Sequence, residues 1–251
     1  MRLLDLGLRE PYDGIPLKEV LLTARDKGLI PDTLAFYRFK RLAWVGRTGN
    51  LQKRVNVEYC RRENIPIIRG SSMGGGSLND GNVLQYDLVS SGSLAKDDIR
   101  LAMNYTTRAL QFMGLDPEIT TKRNDVLLNG RKVSGTGTVV LPSGVFFSSG
   151  TLIFDFDYDL CERVLQPRDR PVSHRDWVTT LKAQLRREVP FSEVISAIKQ
   201  VFETELKIEF EVSTSLTEAE EQILESLQEK YRSEEWLKTG RWSPIKDYGL
   251  R

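Results

Sequence analysis

An α+β fold, with a largely antiparallel central sheet flanked by helices, is predicted by three observations. Asn129-Gly130 stands between the runs Val126-Leu127-Leu128 and Arg131 to Val140, and Asn-Gly between two such runs is the strongest short-range hairpin signal. Strand-like stretches separated by turn residues crowd the middle of the chain, from Thr33 to Phe156. Helical periodicity, with apolar side chains three and four apart, appears before and after that region. The 251 residues suit one large domain, with residues 172–251 read as a helix-strand-helix tail packed on the same core.

The first helix opens at Asp13-Gly14-Ile15-Pro16, puts Leu17, Val20, Leu21 and Ala24 on one face and stops at Gly28. Thr33 to Phe39 and Arg41 to Val45 read as strands, and Val55 to Glu63 as a short helix leading into the strand Ile65 to Arg69. A glycine-rich loop follows, then the strand Val83 to Val89. Leu94 to Met113 is a longer amphipathic helix, with Ile99, Met103 and Leu110 inward and Gly114 as its stop. Gly144 to Phe156 supplies two more strands around Ser148-Ser149-Gly150. Beyond a loop rich in Pro and Arg, Gln166 to Pro171, Ser192 caps a helix with Val194, Ile195, Ile198, Val201 and Phe202 on one side. Lys207 to Val212 alternates as a half-buried strand does, and Thr217 to Glu220 is a capping box opening a last helix to Tyr231.

A net charge of +1 gives no reason to expect a nucleic-acid or membrane-surface binder. Two cysteines, Cys60 and Cys161, make neither a disulfide framework nor a zinc spacing, which agrees with a reducing cytoplasm. Met1 to Glu10 mixes charge with leucine and is not a signal peptide, and no apolar run reaches the length of a membrane span. A single histidine, His174, disfavours a His dyad, a triad or a multi-His metal site.

Two polar clusters stand out. In the first, Arg69 ends an apolar strand, Gly74-Gly75-Gly76 follows, and Asp80-Gly81-Asn82 precedes the next strand. Glycines there let a phosphate or an acyl chain lie against bare backbone amides, and an arginine is a natural phosphate partner. On glycine content alone a flexible hairpin loop is an equally good reading. The second cluster is Arg123-Asn124-Asp125 with Gly130-Arg131-Lys132-Val133-Ser134-Gly135. By position alone, Lys132 is also compatible with a solvated lysine just past a turn, and Asn124-Asp125 with a polar strand start.

The order of these motifs resembles the lipoate–protein ligase A family, within the larger set of biotin and lipoate ligases and octanoyltransferases. Gly150-Thr151-Leu152 and Lys230-Tyr231-Arg232-Ser233-Glu234-Glu235-Trp236 match two further motifs of the family, so the resemblance spans nearly the whole chain. It implies a biotin/lipoate ligase-like catalytic domain. Lipoate would attack the α-phosphate of ATP, and a lysine of a lipoyl carrier domain would then attack the acyl adenylate. The carrier would be a 2-oxoacid dehydrogenase subunit or a glycine-cleavage H-type protein. Lys132 matches the family's essential lysine, an electrostatic stabiliser of the adenylate's carbonyl and phosphate oxygens. Asp125 would hold Mg²⁺ as a hard oxygen ligand, Asn124 the adenylate phosphate or ribose, and Arg69 the phosphate. Gly74 to Gly76, Asn82, Ser134 and Gly135 would line the substrate slot, with Ile and Val side chains walling an apolar tunnel.

The departures are Gly70 where the family has a second arginine, Met73 on the first loop glycine, Asn79 for a histidine and Ser149 for another. Related octanoyltransferases use a cysteine thioester upstream of the lysine, and no cysteine lies between Cys60 and Lys132, which disfavours that route. An accessory C-terminal domain is read as absent, so a separate accessory subunit is a possible partner. An ATP-independent octanoyl or lipoyl transferase, and a non-catalytic relative that binds lipoyl domains, are the rival readings.

Overall fold

In the computed structural model the described residues are 1–91, 101–120, 124–166 and 173–242. The chain opens with β1 (Arg2–Arg9), α1 (Pro11–Gly14) and α2 (Leu17–Asp26), followed by β2 (Thr33–Phe39) and β3 (Leu42–Val45). Two short helices, α3 (Leu51–Arg54) and α4 (Val57–Arg62), lead to β4 (Ile67–Arg69), β5 (Gly76–Asn79) and β6 (Val83–Ser90). Next come α5 (Leu101–Phe112), β7 (Pro117–Thr120), β8 (Asp125–Leu128), β9 (Arg131–Val140) and β10 (Phe146–Ile153). The remaining elements are α6 (Tyr158–Val164), α7 (His174–Trp177), α8 (Leu181–Leu185), α9 (Phe191–Glu205), β11 (Glu211–Ser213), α10 (Glu218–Arg232) and α11 (Glu234–Thr239).

Eight strands form one sheet in the order β11-β1-β2-β6-β10-β9-β8-β7, and β4-β3-β5 form a second, smaller one. β1 runs parallel to β2 and to β11, while the other neighbours in the large sheet are antiparallel. The period-2 alternation of each strand divides its residues between two cores. Leu34, Phe36, Leu84, Tyr86 and Phe146 pack one face together with residues of α5 and α9. Ala35, Tyr37, Val89 and Phe147 pack the other with residues of α2 and α10. A third cluster joins the small sheet, through Ala43, Val45 and Leu78, to Cys60 of α4 and Cys161 of α6.

Local sequence chemistry accounts for most boundaries. Asn129 (φ 50°) and Gly130 (φ 71°) make the left-handed corner between β8 and β9. Thr217 and Glu220 form the capping box that starts α10. Three expectations are corrected. Gly144 to Phe156 holds one unbroken strand rather than two, because Gly150 is there for close packing: a Cβ would overlap the Tyr86 ring. Pro190, not Ser192, is the N-cap of α9. Of Lys207 to Val212 only the end is strand; β11 spans Glu211–Ser213 beside β1, and Val212 is exposed. The first part of the helix expected over Leu94 to Met113, including Ile99, lies outside the described residues, as do Arg123 and most of the loop Gln166 to Pro171.

Candidate active site

Lys132 sits near the start of β9, opposite Leu127 of β8. Between the pairs Val126–Ser134 and Leu127–Lys132 the register slips by one residue, so Val133 is a β-bulge. The bulge decides which way the lysine faces. Without it Lys132 would share a face with Ser134; with it, Lys132 joins Asp125 and Gly135. Val133 and Ser134 then bury on the opposite side, where the Ser134 hydroxyl lies against Tyr86.

The Lys132 ammonium is 2.5 Å from Asp125 Oδ1, with the lysine side chain 24% exposed and the aspartate 8%. Its Nζ also stands 5.8 Å from the centre of the Trp177 ring. A Cβ on Gly135 would come within 2.6 Å of Lys132 Nζ, so this glycine is the bare floor on which the ammonium rests. The backbone N–H of Thr179 donates to the Lys132 carbonyl at 2.8 Å and holds the strand on its outer side.

From Gly135 a row of polar groups crosses the same face of the sheet. The Gly135 N–H donates to Thr151 Oγ1 at 3.2 Å. Thr151 pairs with Gln85, and Gln85 with Tyr37. Two residues along, Ser149 pairs with Asp87. Asp87 is wholly buried, and its carboxylate accepts a short hydrogen bond from the Tyr37 hydroxyl. Burial pushes the Asp87 carboxyl above the ordinary range, against the opposing pull of Lys18, Tyr37 and Ser149. Lys18, on α2, donates to Ser149 Oγ at 2.6 Å. None of Lys18, Tyr37, Gln85, Asp87 or Thr151 entered the sequence reading as a site residue. The signal was Gln85 and Asp87, two polar residues at i and i+2 inside an apolar strand.

Arg69 has a different place from the one expected. It is 1% exposed, and its guanidinium is spread over backbone carbonyls rather than offered to a phosphate. It donates to Gly46 at 2.6 Å, Gly49 at 2.8 Å, Arg47 at 2.9 Å and Leu237 at 2.9 Å. Trp236 returns the contact, its indole N–H donating to the Arg69 carbonyl at 2.8 Å. Gly70, in the position of the family's second arginine, has the Trp44 indole where a Cβ would be, and a Cβ on Gly74 would meet that indole at 2.9 Å. The glycine loop is thus packed onto Trp44 and the 46–49 turn.

The Tyr231 hydroxyl donates to Glu19 at 2.9 Å and lies against Ser71 of the loop; Lys230 pairs with Glu19 at 2.7 Å. The Lys-Tyr-x-Ser-x-x-Trp motif is a clamp joining the glycine loop, α2 and α11.

The other expected residues fall as follows. Asn124 (φ 52°) is exposed at the entry to β8, and its carbonyl accepts from the Thr136 N–H at 2.8 Å. The backbone N–H of Asn82 donates to Asp80 Oδ1 at 3.1 Å in the turn before β6. Asp125 does not suit a resident divalent cation. One of its oxygens is already held by an ammonium, and among the described residues no three His, Cys, Asp or Glu side chains converge. Both cysteines are fully buried in the satellite core, and burial pushes the Cys60 thiol up to about 11.

A family model described as the lipoyl protein ligase A/B catalytic domain matches residues 10–203. The chain belongs to that family. The matched span takes in both sheets except β1 and β11, with the glycine loop and Lys132, and leaves the α10–α11 clamp outside. As a member of the lipoyl ligase A/B family, the chain is an enzyme of lipoate ligase and octanoyltransferase kinship. Octanoyltransferase LipM of Halalkalibacterium halodurans is 26% identical over 94% of this chain and 97% of its own length. Lipoate–protein ligase 2 of Staphylococcus aureus is 26% identical over 52% of this chain and 38% of its own.

Solved structures carry the fold. Lipoate-protein ligase A bound with ATP aligns at a TM-score of 0.83 and 22% identity, covering 96% of this chain and 99% of that one. A structure from the structural analysis of an archaeal lipoylation system, a bi-partite lipoate protein ligase and its E2 lipoyl domain from Thermoplasma acidophilum, aligns at 0.79 and 23% identity, covering 98% of each chain. The expected α+β, lipoate ligase-like architecture is the observed one.

Proposed function

We propose that the chain is an ATP-dependent lipoate–protein ligase that activates lipoate as lipoyl-AMP and passes the acyl group to a lysine of a lipoyl carrier domain. The observation that carries this reading is the Lys132–Asp125 pair on the Gly135 floor, a quarter exposed at one end of a polar row, with both thiols sealed in another core. The lipoate carboxylate attacks the α-phosphorus and pyrophosphate leaves; the carrier amine then attacks the acyl carbon and AMP leaves. In the first step charge grows on the α-phosphate oxygens and in the second on the acyl carbonyl oxygen, which are neighbours in the adenylate. A positioned ammonium stabilises that charge more in the transition state than in the ground state. Asp125 acts through Lys132, fixing its rotamer. Mg²⁺ comes in with the nucleotide as part of the substrate.

Asn124 at the nucleotide, Asn82 and Gly74 to Gly76 along the slot, and Ser134 and Gly135 beneath Lys132 belong to the same proposal. So do a single catalytic domain over residues 1–251, a cytoplasmic setting, and a carrier of the 2-oxoacid dehydrogenase or glycine-cleavage type. Among the described residues no helix is long and apolar enough to cross a membrane. A separate accessory subunit is part of the proposal too, and it is tested by adding one to an inactive chain.

A second reading, an octanoyltransferase working between carrier proteins without ATP, is favoured by the near full-length likeness to octanoyltransferase LipM. Against it stands the absence of an accessible thiol. Mass spectrometry of a lipoyl-domain lysine separates the two. Modification after incubation with lipoate, ATP and Mg²⁺ is the expected result. Modification only from an octanoylated carrier in the absence of ATP would overturn the ligase reading. Carrier binding with no modification in either arm would leave a non-catalytic binder.

A further inference from the structure

Lys132 is held from two sides. β8 flanks it on one. β9 pairs with β10 only over Thr136 to Val140, so on its other side Lys132 bridges Val178, and its carbonyl takes the Thr179 N–H at 2.8 Å. Those residues follow directly on α7, a single turn from His174 to Trp177. A helix that short has no stability of its own.

α6 supplies the hold. One of its faces is anchored by Cys161 and Val164 in the satellite core. From a second face Tyr158 and Glu162, one helical turn apart, grip α7 at both ends. The Tyr158 hydroxyl donates to the Val178 carbonyl at 3.2 Å. The Glu162 carboxylate accepts the His174 backbone N–H at 2.7 Å and the Ser173 hydroxyl at 3.2 Å, and lies 3.1 Å from His174 Nδ1. The Arg175–Asp159 pair between the same helices is more than half exposed on both sides and contributes little. Between the gripped ends stands Trp177, half-buried, with its ring facing the Lys132 ammonium.

We propose that Glu162, with Tyr158 as its companion, is a positioning residue: by holding α7 it sets where Trp177 stands over Lys132, and so which way the ammonium offers its donors. This rests on Lys132 being the catalytic cation of the proposed ligase. With the indole in place, one side of the ammonium is closed to water and its charge acts on the substrate oxygens. With α7 loose, water competes for it.

The test reads Lys132 directly. A chain made with isotope-labelled lysine gives ε-methylene NMR signals; the one lost in Lys132→Arg belongs to Lys132, and the Trp177 ring current displaces it. Trp177→Leu removes that displacement and sets the scale. Glu162→Ala should move the signal most of the way to its position in Trp177→Leu. It should also lower kcat for carrier modification by about tenfold, with the KM values for lipoate and ATP unchanged. Glu162→Gln, whose amide oxygen still accepts the His174 N–H, should restore both. A Glu162→Ala chain with a lower melting temperature but an unmoved Lys132 signal and full kcat overturns the proposal. Tyr158→Phe tests the same grip if Glu162→Ala does not fold, and an unmoved signal there overturns it too. A signal that moves in a chain with no ligase activity supports the grip and sinks the ligase reading instead.

Discussion

Lys132 and Arg69 look alike in the sequence, two cations at strand ends beside glycines, and they lead opposite lives in the fold. Arg69 is almost wholly buried and spends its guanidinium on the carbonyls of residues 46–49 and 237–238. Lys132 is a quarter exposed and has one carboxylate, one aromatic ring and a bare glycine for company. The first ties three segments of chain together. The second has spare donors facing outward. A cation whose donors are all taken by main chain is a fastener, whereas one with a single acidic neighbour is available to a substrate.

The strongest way to test that division is to remove both charges in turn. Arg69→Ala should cost about 3–5 kcal/mol, because several buried carbonyls lose their donor at once; a urea midpoint shifted with unchanged slope measures it. Lysine at the same position should restore little, since a point charge cannot serve carbonyls on several sides. Lys132→Ala should instead leave the melting temperature within a few degrees and slow carrier modification by about 10²–10³-fold, or about 3–4 kcal/mol of transition-state stabilisation. If Lys132→Ala unfolds the chain while Arg69→Ala only slows it, the comparison is reversed.

Gly70→Ala should cost about 1–3 kcal/mol, because its methyl must displace the Trp44 indole, and the loss should fall on stability before activity. The smallest effect is one of pH. At Glu220 burial alone would raise the carboxyl, but the Arg2 guanidinium and Thr217 outweigh it and hold it below its ordinary value of 4.5. The stability this pair contributes is therefore complete above that value and is lost as pH falls through the folded one. Asp87 has the opposite sign. Its raised carboxyl stabilises fully below 3.8 and loses that contribution as pH rises through the folded value. Asp87→Asn should flatten the upper limb of a melting-temperature profile, and Glu220→Gln the acid limb.

What the sequence revealed was mostly local chemistry. Asn129-Gly130 and the Thr217–Glu220 box lie within a few residues of what they control, and both were legible. Gly150 was misread as a turn because its reason is Tyr86, a residue of the neighbouring strand. Arg69 was misread because its acceptors come from residues about 20 and 170 positions away. Lys132 was singled out by motif, whereas the side it faces depends on a slip in pairing that no alternation pattern discloses. Tyr37, Gln85 and Asp87 hid in apolar runs, although polar residues spaced by two in a buried strand mark a wet face in an otherwise dry one.

A strand has only two sides, so the extra residue at 133 matters only together with the corner that precedes it. Deleting Arg131 would let the Asn-Gly corner pair Lys132 with Leu128 in unbroken register and carry its ammonium to the side of Val126. Deleting Val133 would leave Lys132 opposite Leu127 and still facing Asp125. Where that ammonium stands is therefore set by which of three residues is removed, and not by their number alone.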